Sequence, residues 1–260
     1  MKTISSRDNT QYKELRQLAD SSQARRKAGR TLLDGVHLCA AYLQQIGAPL
    51  LCAISESAGE LPEVAAIVAR CEEDSGQCIQ LPDVLYKPLS QVDNGVGILF
   101  LIDMPQRQAP EKLTQDALLL DQVQDPGNLG SILRSAAAAG LVDVFCSVGT
   151  ALAWSPRVLR AGMGAHFMLN IYESVDLAAL LEASDLPVLA TSSHTTQTIY
   201  DADLRQPLVW LFGHEGQGVS DALMAKATQA VAIPHRGEME SLNVAASAAV
   251  CLFEQLRQRL

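Results

Sequence analysis

The chain has 260 residues, 48% apolar and 19% charged, and a formal net charge of −9. That length allows one or two domains with full hydrophobic cores, and the composition excludes disordered, collagen-like and coiled-coil classes. The charge is uneven: residues 1–30 hold eight basic side chains against three acidic ones, a local +5, which leaves −14 on residues 31–260. A polyanionic partner is therefore not excluded, and Arg25, Arg26, Lys27 and Arg30 are the candidate phosphate contacts.

In chain order, residues 1–30 read as a basic segment that is mobile at its start and partly helical around Lys13–Leu18. An apolar face predicts a helix from Asp34 to Gln45, then a strand over Leu50–Ile54 and a helix that Pro62 opens and that runs to Glu73. Cys78–Leu81 and Val96–Ile102 read as strands, completing a small α/β domain over 1–104. Pro105, Pro110 and polar neighbours leave no apolar period over 105–115, which is read as a linker. From 116 to 260 strands and helices alternate. Strands are expected at Ala117–Val123, Val142–Ser147, Met168–Tyr172, Pro187–Ser192, Leu208–Phe212 and Ala230–Ile233. Helices are expected at Leu129–Ala139, Pro156–Met163, Leu177–Ala183, Asp221–Ala227 and Ser241–Arg259. Such alternation predicts a mostly parallel sheet whose ligands sit in loops at the carboxyl ends of strands.

The six cysteines form no CxxC pair and mostly sit in apolar runs, so they read as buried hydrophobes in a reducing compartment. The five histidines are dispersed, and no metal is expected. The charged N-terminus is unlike a secretory signal, and no apolar stretch reaches the ~18 residues of a membrane span, so a cytoplasmic location is expected.

Three loops carry chemistry. The first, Asp125-Pro126-Gly127-Asn128, is a turn in which Asn128 is placed to cap a helix that bears Arg134. The second, Gly213-His214-Glu215-Gly216-Gln217-Gly218, follows an apolar strand, and its glycines let backbone approach a ligand. Its carboxylate disfavours phosphate and suits a ligand with amino or hydroxyl donors. The third runs from Ile233 to Ser241-Leu242-Asn243, where Ser241 is placed as helix cap, Leu242 and Val244 are expected to point toward the fold, and Asn243 has no evident packing role. Taken alone, the first loop reads equally well as a surface Arg on an ordinary helix, the second is more often just a turn, and Ser241 of the third reads as a plain N-cap, a role that does not exclude catalysis.

Together and in this order, Asp121–Arg134, Leu211–Ser220 and Ile233–Ala246 resemble the signature of the SpoU-type (TrmH-like) RNA ribose methyltransferases of the SPOUT superfamily. Arg30–Leu43 more loosely resembles the start of the substrate-binding domain that often precedes it. The resemblance implies an α/β fold whose parallel-sheet catalytic domain is tied in a trefoil knot, S-adenosylmethionine as cofactor, a homodimer, and tRNA or rRNA as partner. It implies cofactor contacts at Gly213, Gly218, Ile233 and Leu242, and a catalytic set of Asn128, Arg134, Glu215, Ser241 and Asn243. A guanidinium is a poor base, so Arg134 is read as holding a phosphate or polarising the nucleophile rather than removing its proton. Two alternatives stay open: the same fold methylating a base nitrogen, or an RNA-binding or assembly protein without turnover.

Overall fold

The computed structural model describes residues 1–90, 95–237 and 241–260, so positions 238–240 of the third loop lie outside the described residues. The chain forms two compact units, residues 1–106 with 154–167, and residues 107–153 with 168–260.

The first unit contains β1 (Lys2–Thr3), α1 (Thr10–Asp20), α2 (Ser22–Ala28), β2 (Arg30–Asp34), α3 (Val36–Gln45), β3 (Leu51–Ser55), α4 (Pro62–Glu73), β4 (Cys78–Leu81), α5 (Asp83–Tyr86) and β5 (Ile98–Asp103). Its sheet has the order β1-β4-β3-β5-β2, with β5 antiparallel to both neighbours. The start of the chain, expected to be mobile, is pinned: Lys2 and Thr3 pair in parallel with Ile79 and Gln80. The basic segment is helical over more than the expected stretch, because Asn9 caps α1 by accepting from the Gln11 and Tyr12 N–H groups, and Ser21 caps α2. Tyr12, Leu15 and Leu18 bury one face of α1 against Leu32, Leu99 and Leu101, each such side chain contributing about 1.5–3 kcal/mol. The helix expected over Asp34–Gln45 is α3, which starts two residues later because Arg30–Asp34 forms the edge strand β2. Gly35, at φ +103°, then makes the turn into α3 in a region that side chains avoid.

The second unit opens with β6 (Ala117–Leu120), α6 (Pro126–Ala138) and β7 (Asp143–Ser147). The chain then forms α7 (Pro156–Gly162), which belongs to the first unit, and returns to the second for β8 (Asn170–Val175), α8 (Leu177–Glu182), β9 (Val188–Thr191), β10 (Val209–Phe212), α9 (Asp221–Met224), β11 (Gln229–Val231) and α10 (Val244–Arg259). Its six strands are all parallel in the order β11-β9-β10-β6-β7-β8. Residues 117–120 and 209–212 are buried, as strands covered on both faces must be. The order reverses beside β6: the chain leaves it toward β7, and the later β10 returns on its other side. The carboxyl ends of β6 and β10 are thus adjacent at a topological switch point, where open α/β sheets place their ligands.

Helix α10 packs on α6. Its far end is tied to the sheet: buried Gln255 accepts from Trp210 Nε1 at 2.7 Å, and Arg259 pairs with Asp116. The segment Trp154–Phe167, read from the sequence as part of the second domain, belongs to the first unit. There Thr31 Oγ1 donates to the Trp154 carbonyl at 3.0 Å, and the Tyr42 and Phe167 rings meet edge-on at 5.3 Å.

Candidate functional site

Three loops meet at the switch point through side-chain hydrogen bonds. The Glu215 carboxylate, at the tip of β10, accepts from the backbone N–H of Gln124 at 3.1 Å and of Asp125 at 2.9 Å, and from Asn128 Nδ2 at 3.1 Å. Asn128 Oδ1 in turn accepts from Asn243 Nδ2 at 2.9 Å. Asn243 Oδ1 accepts from the Ala245 and Ala246 N–H groups at the start of α10. The expected residues Asn128, Glu215 and Asn243, drawn from all three motifs, therefore form one continuous chain of bonds. Partial burial pushes the Glu215 carboxyl up, but the donors from Asn128, Asp125, Gln124 and its own N–H outweigh it and hold the group below its ordinary value. Glu215 is thus an anion that positions Asn128 and the first loop, with its acceptor capacity largely spent.

Two capping expectations are corrected. Asp125, not Asn128, caps α6: its Oδ1 accepts the Asn128 N–H at 2.8 Å, Pro126 takes the first helical position, and Asn128 lies in the first turn. Asn243, not Ser241, caps α10, and this supplies the structural role that the sequence did not reveal; Ser241 is exposed, two residues earlier. Leu242 was expected to face the fold but is 41% exposed. Arg134 is exposed on α6 and, among the described residues, makes no hydrogen bond or ion pair, so its charge is available to a ligand.

The glycine positions separate by cause. A Cβ on Gly213 would lie 2.0 Å from the Gly218 carbonyl carbon and 2.1 Å from Val219 N, so backbone packing alone requires glycine there. Gly218 has φ +72° and open space beside its Cα, leaving its surface available for contact. Ile233, half-buried, lies just past β11.

Sequence reasoning did not single out Asp121. This carboxylate, 4% exposed, closes β6 and accepts from the Ser220 N–H at 2.9 Å and from Ser147 Oγ at 3.4 Å, joining the ends of β6, β7 and the second loop. The available signal was an acid directly after a fully apolar strand, since a buried carboxylate must find donors.

The four basic candidates divide. Arg25 donates to the Leu18 and Ala19 carbonyls at the end of α1, and burial pushes its guanidinium down. Arg30 pairs with Glu14 at 2.7 Å and Asp103 at 3.3 Å. Arg26 and Lys27 are exposed and, among the described residues, make no ion pair.

Residues 116–253 match the profile of the SpoU rRNA Methylase family. An uncharacterized tRNA/rRNA methyltransferase of Synechocystis is 34% identical over 99% of this chain and 94% of its own length. The 23S rRNA (guanosine(2553)-2'-O)-methyltransferase RlmP of Bacillus subtilis is 30% identical over 97% of this chain and 98% of its own. The crystal structure of the SpoU methyltransferase AviRb from Streptomyces viridochromogenes, in complex with AdoMet, covers 96% of this chain and 99% of its own at 25% identity and a TM-score of 0.83. With three motifs joined at one switch point and a match that spans more than half of its length, the chain belongs to the SpoU rRNA methylase family.

Proposed function

We propose that the protein transfers a methyl group from S-adenosylmethionine to a ribose 2'-hydroxyl of tRNA or rRNA. The observation that carries this reading is the Asn243–Asn128–Glu215 chain, which holds the three motif loops together at the carboxyl ends of β6 and β10. The residues present suit the cofactor: Ile233 and exposed Leu242 are apolar surfaces for an adenine ring, and the Gly213–Gly218 backbone suits its amino and hydroxyl donors. When bound, S-adenosylmethionine supplies a methyl activated by positive sulfur. The protein's own task is then to align reactants and exclude water, which lowers such barriers by roughly 7–11 kcal/mol. Arg134 holds phosphate or polarises the 2'-hydroxyl, Asn128 and Asn243 are fixed by their mutual bond, and Ser241 precedes Asn243 by two residues. The trefoil knot implied by the family belongs to this reading.

The experiment is to incubate RNA with the protein and methyl-labelled S-adenosylmethionine, then hydrolyse in alkali. Resistance to cleavage at the labelled nucleotide marks 2'-O-methylation. Label at a cleavable position indicates base methylation, and no label indicates a binding protein.

A homodimer through the second unit is part of the proposal, supported by α10, which buries Ala248, Cys251 and Leu252 yet leaves Phe253 47% exposed. A cytoplasmic location accords with the absence, among the described residues, of any helix long and apolar enough to cross a membrane. Within the basic segment, the reading assigns RNA contact to Arg26 and Lys27 first, because Arg25 and Arg30 already have partners. Neutralising Arg26 and Lys27 together is expected to reduce the slope of log affinity against log salt by about 1.5. An unchanged slope returns both to the solvated surface.

A further inference from the structure

The second loop carries a histidine that the proposed chemistry does not use. His214 Nδ1 accepts the backbone N–H of Gly216 at 2.9 Å and of Gln217 at 3.3 Å. The His214 N–H donates to the Gly218 carbonyl at 2.9 Å, and the Gly218 N–H donates back to the His214 carbonyl at 2.8 Å. We propose that His214 is a positioning residue for the cofactor, its ring serving as the internal template on which the Gly213–Gly218 loop is wound. The inference rests on the functional reading above and extends it to a residue outside the three-loop relay.

The chemistry follows from where the donors go. Accepting two N–H groups requires the Nδ1 lone pair, which fixes the neutral tautomer with its proton on Nε2. The N–H groups of Gly216, Gln217 and Gly218 are all spent inside the loop. What the loop offers a ligand is therefore weighted toward carbonyl oxygens, which match the amino and hydroxyl donors of an aminoacyl-adenosine and repel phosphate. A loop whose amides were released would lose that bias. The ring also fills the space beneath the turn: a Cβ on Gly216 would touch its Cε1 and Nδ1 at 3.8 Å. The carboxylates of Glu215, the next residue in the loop, and of Asp121, which holds the loop's Ser220, are otherwise occupied, Glu215 with the Gln124–Asn128 loop and Asp121 with Ser220. The imidazole is thus the group that closes this turn. An Asx-type side chain makes the same i to i+2 and i+3 bonds, and asparagine Oδ1 stands where Nδ1 stands.

The test compares the wild type with His214→Ala and His214→Asn. Removing two hydrogen bonds is expected to weaken S-adenosylmethionine about tenfold in His214→Ala, by calorimetry and as KM, with kcat within about twofold. His214→Asn is expected to restore near-wild-type affinity. In the ligand-free protein the Gly216 and Gln217 amides are expected to exchange with solvent faster in His214→Ala than in the other two. Wild-type affinity in His214→Ala, or an asparagine variant no better than alanine, overturns the proposal alone. A wild-type protein that binds no S-adenosylmethionine overturns the functional reading and this inference with it.

Discussion

Arg134→Ala is expected to bind S-adenosylmethionine as the wild type does and to transfer methyl at least about a thousandfold more slowly, a loss of about 4 kcal/mol of transition-state stabilisation. Arg134 is exposed on α6 with no intramolecular partner among the described residues, so its truncation removes nothing that holds the fold, and the melting temperature is expected to stay put. The relay of Asn128, Glu215 and Asn243 stays intact in this variant, because none of its bonds involves Arg134. What is lost is a fixed cation with a planar fork of donors, suited to hold a phosphate or the developing oxyanion in one geometry. Arg134→Lys keeps the charge without the fork and is expected to fall between the two. Single-turnover rates with saturating cofactor and RNA measure the effect directly. Near-wild-type turnover in Arg134→Ala would remove this side chain from the mechanism.

Gly213→Ala is expected to abolish cofactor binding and to destabilise the second unit by about 1–3 kcal/mol. The added methyl would lie 2.0–2.1 Å from Gly218 C, Gly218 O and Val219 N, and backbone atoms cannot rotate out of its way. Relief requires the strand tip and the returning loop to part, breaking the reciprocal His214–Gly218 bonds and moving Glu215 off the first loop. Gly216→Ala is the matched control. Its Cβ meets only the His214 ring at an ordinary 3.8 Å, so binding and stability are expected to change little. Calorimetric titration with S-adenosylmethionine and thermal melts of the two variants give the comparison, and equal behaviour would show that the loop is looser than its packing.

Much of the second unit was legible because its strands are buried on both faces and read as unbroken apolar runs, as at Leu118–Leu120 and Val209–Phe212. The edge strands of the first unit escaped: β1 is two residues long, and the β2 sequence Arg30–Asp34 runs directly into a helix, so its pattern merges with that of α3. At the site, the motifs named Asn128, Glu215 and Asn243, and the structure shows these three bonded to one another. Asp125 and Asn128 are both good caps three residues apart, as are Ser241 and Asn243 at a separation of two. Choosing between them depends on backbone angles that residue type does not encode. Asp121 and His214 were missed for a related reason, since their partners are backbone N–H groups, one of them 99 residues away.

The crossover between β7 and β8 has a consequence for modularity. In a parallel sheet such a connection normally covers its own sheet, yet Trp154–Phe167 completes the unit built by residues 1–106. The N-terminal unit is therefore not a contiguous cassette. A ribosome must deliver 48 further residues after Gln106, β6, α6 and β7 among them, before the Thr31 hydroxyl can reach the Trp154 carbonyl. Grafting residues 1–106 onto another catalytic domain would strand the Thr31 hydroxyl without its acceptor and leave Tyr42 with Phe100 but without Phe167. Exchange of the N-terminal unit among such proteins must carry this crossover along, or find a replacement for it.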